Sequence, residues 1–435
     1  MLHLSAPTGR VINGRVSLPT SKSITNRVFI IQALLGQAFA IQQAAVCADT
    51  QAMQQALQQQ KQAQKNSGNY THLTVNANIG HAGTAMRFLT AYFCLQPHTT
   101  ILDGSEQMRQ RPIAPLVQAL QQLGAHITYL NQPGYPPIQI HGNLKPLEGG
   151  QITIDASISS QFLSAVLLIA PALPKGLILE WKGQLVSQGY INMTLQVMQY
   201  FGVKAQFGSG FIRIKPQTYQ PRPIHIPPDW SAASYIYALA ALSREASIKL
   251  PNLALHPNWQ PDAIIKTWMR QLGVRTQPCE TNPQTDLIIT KKGYGHTPPL
   301  LQLPFLNSPD LAQTMAVVCA ALNIEGHFTG LQTLRHKETQ RITALQTELA
   351  KIGTNFLPTN ATNYNSATLK PAPLPNHILP CFATYNDHRM ALSLSGLAMV
   401  MPRGIQIMQP QVVEKSFPTY WEVLQNLGFL VKNLG

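Results

Sequence analysis

The chain has 435 residues, 45% hydrophobic and only 11% Asp, Glu, Lys or Arg, with 32 Lys and Arg against 18 Asp and Glu, a net charge of +14. That composition is globular, and the length allows about three domains or two large ones. A basic balance favours acidic partners, but the cations are scattered or held in short clusters without an aromatic-laced Lys/Arg stripe, so small anions are favoured over nucleic acid.

Five cysteines (Cys47, Cys94, Cys279, Cys319, Cys381) form no CxxC pair and no even framework, as expected of reduced thiols in a cytoplasmic protein. The thirteen His residues include no HExxH, so no dedicated metal site is expected. MLHLSAPTGR lacks a signal-peptide core, and the apolar stretches Phe162–Leu173 and Ala232–Leu242 are too short to cross a bilayer.

In chain order, Pro19 ends a first strand, and Ser21 or Ser23 can cap an apolar helix running through Leu35. Lys22, Ser23 and Arg27 then gather near a helix N-terminus, where free N–H groups and the dipole favour an anion; a capped surface helix with ordinary cations is the plainer alternative. The Gln-rich stretch Gln51–Asn69 reads as a surface helix before the strand THLTV. Gly80 and Gly83 form a turn before the next helix, with Arg87 inside it. Ser157, Ser159, Ser160 and Gln161 open a further helix, where hydroxyls can wrap phosphate or satisfy the first-turn N–H groups.

Pro216–Trp230, with five prolines, reads as a semi-rigid linker. The helix after it starts at Asp229. Ser308 reads as an N-cap, Pro309 as the first helical residue and Asp310 as a first-turn acid. In RHKETQRITALQTELAKIG the spacing puts Lys337, Glu338 and Arg341 on one helix face, and Arg335, Lys337 and Arg341 exceed what one Glu can neutralise. Ala361–Pro380 reads as loop with an edge strand. Asp387, His388 and Arg389 open another helix, and Lys415 follows a strand-like run.

Charge concentrated at 335–341, with companions at TSKSITNR, GHAGTAMR and TYNDHRM, is the chemistry of gripping phosphate and carboxylate groups. A faint repeat accompanies it. Helix, Gly and alternating strand recur at Gly124, Gly202, Gly273, Gly353 and Gly428, spaced 78, 71, 80 and 75 apart. Six βαβ-type units, divided three and three, are predicted.

Taken together, SLPTSKSITNR, GHAGTAMR, RQRPIAPLVQALQQLGA, SISSQFLSA, LVSQGYI, PDLAQT, RHKETQR, TYNDHRMA and KSFPTYWEVLQNLG resemble the 5-enolpyruvylshikimate-3-phosphate synthase family in its order over essentially the whole chain. The resemblance implies an α/β fold of two similar domains, 20–227 and 1–19 with 228–435, each an inside-out barrel-like set of three repeated units, with the active site in the interdomain cleft. It implies a cytoplasmic, monomeric transferase in aromatic amino-acid biosynthesis, without cofactor or catalytic metal, moving enolpyruvyl from phosphoenolpyruvate to shikimate 3-phosphate with release of phosphate.

By the same resemblance the acid–base set is Lys22, Asp310 and Glu338. Phosphoenolpyruvate falls to Lys22, Gly83, Arg111, Gln161, Arg341, His388, Arg389 and Lys415. Shikimate 3-phosphate falls to Lys22, Ser23, Arg27, Ser159, Ser160, Gln161, Ser187, Tyr190, Asp310 and Lys337. The chain departs from the family at His81, Phe88, Thr333 and Gln340; Thr333 leaves one substrate contact in doubt, and Gln340 should make the Arg341 site more positive. Enolpyruvyl transfer to UDP-N-acetylglucosamine is the alternative, weakened by the absence of Cys from Asp103–Pro115.

Overall fold

The structure, a computed structural model, describes residues 1–66, 73–142, 146–255, 259–293, 297–360 and 364–434. The chain divides into two compact units: Met1–Thr20 with Pro227–Gly435, and Ser21–Ile226.

One arrangement recurs in both. In Ser21–Ile226, the strand Thr74–Asn78 leads through the helix Gly83–Phe93 to a parallel strand, Thr99–Asp103. The helix Ala114–Gln122 and the hairpin Ile127–Tyr129/Ile138–Ile140 follow, the second hairpin strand pairing antiparallel with Thr99–Asp103. Gly150–Asp155, Leu177–Lys182, Ala205–Gly208 and Phe211–Ile214 repeat this order.

The other unit carries three such sheets, and the chain's first residues complete two of them. Val11–Arg15 lies parallel to Glu245–Leu250, and Leu2–Ser5 pairs antiparallel with both Ile405–Ile407 and Leu430–Asn433. The sixth sheet has only two described strands, Ile41–Gln42 and Ile224–His225. Its Gln-rich helix runs Ala48–Asn66; the end of the predicted stretch, and the start of THLTV, lie outside the described residues.

The glycine of each predicted repeat carries the left-handed backbone that ends a helix: φ is +96° at Gly124, +88° at Gly202, +82° at Gly273, +81° at Gly353 and +88° at Gly428. Strands such as Thr74–Asn78 and Leu300–Pro304 alternate buried and exposed residues, so one face of each sheet packs inward.

Helices apolar all round fill the centres of the units. In the unit that contains both termini these are Trp230–Leu242, Ala312–Ala321 and His388–Leu394. Buried hydroxyls link them, Ser234 Oγ to Thr314 Oγ1 at 3.5 Å and Thr314 Oγ1 to Ser393 Oγ at 3.3 Å. In the other unit Arg27 serves that purpose, with Thr194 and Ser164.

Two expectations need correction. Pro216–Trp230 is packed rather than a linker: Tyr219 is buried with its hydroxyl donating to Leu168 O at 2.9 Å, and Ile224–His225 pairs with Ile41–Gln42. Proline stiffens such a segment, but its apolar residues still find a surface to bury against. The strand within Ala361–Pro380, Ser366–Lys370, is not an edge: it lies between Glu325–Thr329 and Asn355–Pro358, while residues 361–363 lie outside the described set.

Candidate functional site

Two clusters collect the candidate residues, one in each unit. In the unit with both termini, the cluster is built on Arg341, the first residue of the helix Arg341–Ala350 and only 1% exposed. Its Nε donates to Asp387 Oδ2 at 2.8 Å, its Nη1 to Asp310 Oδ1 at 2.9 Å, and its Nη2 to Glu338 Oε2 at 2.8 Å. The planar fork of donors is what lets one cation serve three carboxylates.

Around that centre, Lys337 Nζ lies 3.1 Å from Asp310 Oδ1, Arg389 Nη2 donates to Asp310 Oδ2 at 3.0 Å, and Lys415 Nζ donates to Glu338 Oε1 at 2.8 Å. Asp310 sits on a single 3-10 turn, Pro309–Leu311, leading into the helix Ala312–Ala321. Ser308 occupies the N-cap position without capping; its hydroxyl donates to Pro261 O. Asp387 caps the helix His388–Leu394 by accepting from Arg389 N at 2.9 Å, and buried His388 places Nδ1 3.6 Å from the same carboxylate oxygen.

Lys337 and Glu338 precede the helix rather than sharing its face: Glu338 meets Arg341 as a local pair three residues apart, and Lys337 turns to Asp310. The predicted surplus of cations is also smaller than the local sequence suggests. Lys337, Arg341, Arg389 and Lys415 face Asp310, Glu338 and Asp387, four cations against three carboxylates. Arg335 is exposed, over the Tyr364 ring.

This balance sets the electrostatics. Burial pushes the Asp310 carboxyl up, but Arg389, Lys337 and Arg341 overcome it and hold it well below the usual carboxylate range. Burial lowers Lys337 against the opposing pull of Asp310. For Arg341 the surrounding Asp387, Glu338 and Asp310 outweigh burial and raise it.

The second cluster lies at helix N-termini of Ser21–Ile226. Lys22 opens the helix Lys22–Leu35 and pairs with Asp49 at 3.0 Å. Ser21 holds the N-cap position with no side-chain bond, and Ser23 lies inside the helix. Ser159 caps Ser160–Ile169, accepting from Gln161 N at 3.3 Å, while Gln161 Nε2 donates to Thr84 Oγ1 at 3.3 Å. That bond joins this helix start to that of Gly83–Phe93. Ser157 turns instead to Asp155.

Gly83 is the first residue of its helix, and the Arg111 guanidinium lies against it: a β-carbon added there would be 2.6 Å from Arg111 Nη1. Arg87, beneath, donates to Gly83 O at 3.3 Å and Pro112 O at 2.9 Å, bracing the two segments that present Gly83 and Arg111.

Arg27 is buried and directed to protein acceptors: Thr194 Oγ1 at 2.8 Å, Ser23 O at 2.7 Å and Tyr190 O at 3.1 Å. Burial lowers its pKa to about 10. Ser187, at φ 55°, holds the N-cap position of Gln188–Tyr200 without a side-chain cap.

The departures find local roles. Phe88 is buried with the Arg27 guanidinium 5.2 Å from its ring centroid. His81 Nδ1 lies 2.6 Å from Ser105 Oγ. Gln340 caps its own helix by accepting from Thr343 N at 2.9 Å, and the Thr333 hydroxyl is buried without a partner.

Asp49, Thr84, Ser231, Tyr235, Asp262 and Asp387 belong to these clusters without having been assigned from sequence. Only Asp387, inside TYNDHRM, carried a signal. No group of three or more His, Cys, Asp or Glu that could hold a metal ion occurs among the described residues, and no described helix is long and apolar enough to cross a membrane.

Residues 7–424 match the family model described as EPSP synthase (3-phosphoshikimate 1-carboxyvinyltransferase). The chain is 42% identical over 430 residues to a 3-phosphoshikimate 1-carboxyvinyltransferase of Bacteroides fragilis, covering 99% of this chain and 98% of that one. It is 34% identical to one of Sulfurovum sp., covering 96% and 97%. A solved EPSP synthase from Acinetobacter baumannii shares the fold with a TM-score of 0.73 at 20% identity, over 99% of this chain and all of that one. With its repeated mixed sheets, its ordered run of charged helix starts and relatives matched end to end, the chain belongs to the EPSP synthase (3-phosphoshikimate 1-carboxyvinyltransferase) family.

Proposed function

We propose that the protein transfers the enolpyruvyl group of phosphoenolpyruvate to the 5-hydroxyl of shikimate 3-phosphate and releases phosphate. The observation that carries this reading is the Arg341 cluster, where two candidate proton-transfer carboxylates, Asp310 and Glu338, are held by one buried cation and faced by three more. The reaction needs a proton delivered to the methylene carbon and the acceptor hydroxyl added to its neighbour. The tetrahedral adduct then loses a proton from the new methyl group and expels phosphate, restoring the double bond.

Asp310 is a weak base while Lys337, Arg341 and Arg389 all face it. An anionic substrate drawn to Lys337 and Arg389 offsets their field, so Asp310 gains basicity when there is a hydroxyl to deprotonate. Arg341, His388, Arg389 and Lys415, with Lys22, Gly83, Arg111 and Gln161, are assigned to phosphoenolpyruvate. Lys337 and Asp310, with Lys22, Ser23, Ser159, Ser160, Gln161, Ser187 and Tyr190, are assigned to shikimate 3-phosphate. Arg27 joins that set as a brace, through its bonds to Ser23 O and Tyr190 O. Lys22 and Glu338 complete the acid–base set.

Purified protein mixed with phosphoenolpyruvate and shikimate 3-phosphate should release phosphate, in excess chelator as well as without it. UDP-N-acetylglucosamine should not replace the acceptor. Release only with the UDP-sugar, or only with an added divalent ion, would overturn the proposal.

Gly83→Ala tests the phosphoenolpyruvate assignment within Ser21–Ile226. The new methyl group must displace the Arg111 guanidinium, whose Nη2 and Cζ would lie 2.8 and 2.9 Å from it. The guanidinium is the mobile end of a long side chain, so stability should change little. The KM for phosphoenolpyruvate should rise several-fold and that for shikimate 3-phosphate much less, in steady-state kinetics with each substrate varied. Movement of the second constant alone would misplace Arg111.

A further inference from the structure

Behind the Arg341 cluster lies a second acidic group that the proton-transfer set does not use. Asp262, on the short 3-10 segment Pro261–Ile264, is 2% exposed. Its Oδ2 accepts a short hydrogen bond from the Ser231 hydroxyl, in the first turn of Trp230–Leu242. The same hydroxyl accepts from Arg389 Nη2 at 3.4 Å, and that Nη2 also donates to Asp310 Oδ2 at 3.0 Å. Arg389 Nη1 donates to Tyr235 OH at 3.1 Å.

We infer that Asp262 is a positioning residue for the reaction: acting through Ser231, it aims the Arg389 guanidinium at Asp310 and at the anionic substrate. A serine hydroxyl has one proton to give. Committed to Asp262, that proton leaves the oxygen's lone pairs for Arg389, and the carboxylate charge strengthens the oxygen as an acceptor. The neighbouring helix start is braced from the same segment: Gln260 accepts from Trp230 N at 3.0 Å and donates to Pro228 O at 2.7 Å. Arg389 is thus held on Nη1 by a phenol and on Nη2 by a hydroxyl fixed by a buried acid. A guanidinium so restrained loses little freedom when an anion arrives.

The charged groups facing Asp262 are Arg389 from the helix His388–Leu394, Asp310 from its 3-10 turn, and Asp229 from the N-cap of Trp230–Leu242. Burial first, and then Asp310, raise the carboxyl to about 6 against the pull of Arg389. A raised acid stabilises the fold below its unfolded value near 3.8, and that stabilisation is lost as pH rises through about 6. At pH 8 the fold carries an ionised buried carboxylate at a cost in stability.

The inference rests on the proposed phosphoenolpyruvate site. Its signature is opposite movement of stability and function. Asp262→Asn keeps an acceptor for Ser231 but loses the charge. Its thermal midpoint should rise above the wild type at pH 8 and match it near pH 4. Its kcat/KM for phosphoenolpyruvate should fall about threefold. Asp262→Ala and Ser231→Ala should each fall about tenfold, the double variant no further, because both remove one relay. The KM for shikimate 3-phosphate should be nearly unchanged throughout.

Phosphoenolpyruvate affinity by calorimetry should follow the same order without turnover. A wild type that binds it but transfers nothing would therefore overturn the activity and leave this inference standing on its affinities. Full activity in Asp262→Asn and Asp262→Ala, or losses that add with Ser231→Ala, would overturn it and leave Asp262 as a brace of its helix.

Discussion

Asp310→Asn and Glu338→Gln should each reduce turnover by about 10²–10⁴-fold, the usual loss when a general acid or base is removed. The changes preserve shape but replace one carboxylate oxygen with an NH₂ group. At Asp310 that group must face either Arg341 and Lys337 or Arg389, since both oxygens are occupied by cations. At Glu338 it must face Arg341 or Lys415. A stability loss therefore accompanies the kinetic one. For Asp310 its pH dependence follows from the depressed folded value: the ion pairs stabilise above the unfolded pKa near 3.8 and are lost as pH falls through the folded one. Asp310→Asn should melt below the wild type at pH 7 and approach it in strong acid. Phosphate-release rates and thermal melts at several pH values read both effects. Turnover near wild type in both variants would reduce these carboxylates to structural partners of Arg341.

Replacing Arg341 should do more damage to the fold than any other single change in the cluster. Arg341→Met leaves Asp387, Asp310 and Glu338 packed around an apolar side chain. Breaking one partner of a buried pair costs about 3–5 kcal/mol, and here three lose theirs. This variant is expected to be unfolded or insoluble. Arg341→Lys keeps the charge, but a single ammonium cannot reproduce three donors aimed at three carboxylates. It should fold with a thermal midpoint several degrees lower and lose at least about 10²-fold in turnover, because Asp310 and Glu338 lose their common anchor. A lysine variant with a wild-type midpoint would show that the carboxylates are held by Lys337, Arg389 and Lys415 alone.

Much of this protein is written in short-range patterns. The helix-Gly-strand repeat was legible because a left-handed glycine ends a helix whatever lies around it, and all five repeat glycines have that conformation. Charged helix starts were legible because capping and dipole signals act within one turn: Asp387, Ser159 and Asp229 cap where their local sequence says they should. The family was legible because its motifs stand in order along the whole chain. At 335–341, by contrast, the local sequence shows one Glu among several cations, and that surplus shrinks once Asp310 and Asp387 arrive from 31 and 46 residues away.

Only the tertiary structure decided which charges meet. Lys22 finds Asp49 27 residues on, Asp262 reaches Arg389 through Ser231, and the guanidinium of Arg111 lies on Gly83. It also decided that the first strand pairs with the last, Leu2 opposite Asn433, and that a proline-rich segment packs down. The physical reason is range. Backbone conformation is set by neighbours within about four residues, so it can be read from a string. Neutralising a buried charge or covering an apolar face depends on distance in space, and the string carries no record of which distant residue will supply the partner.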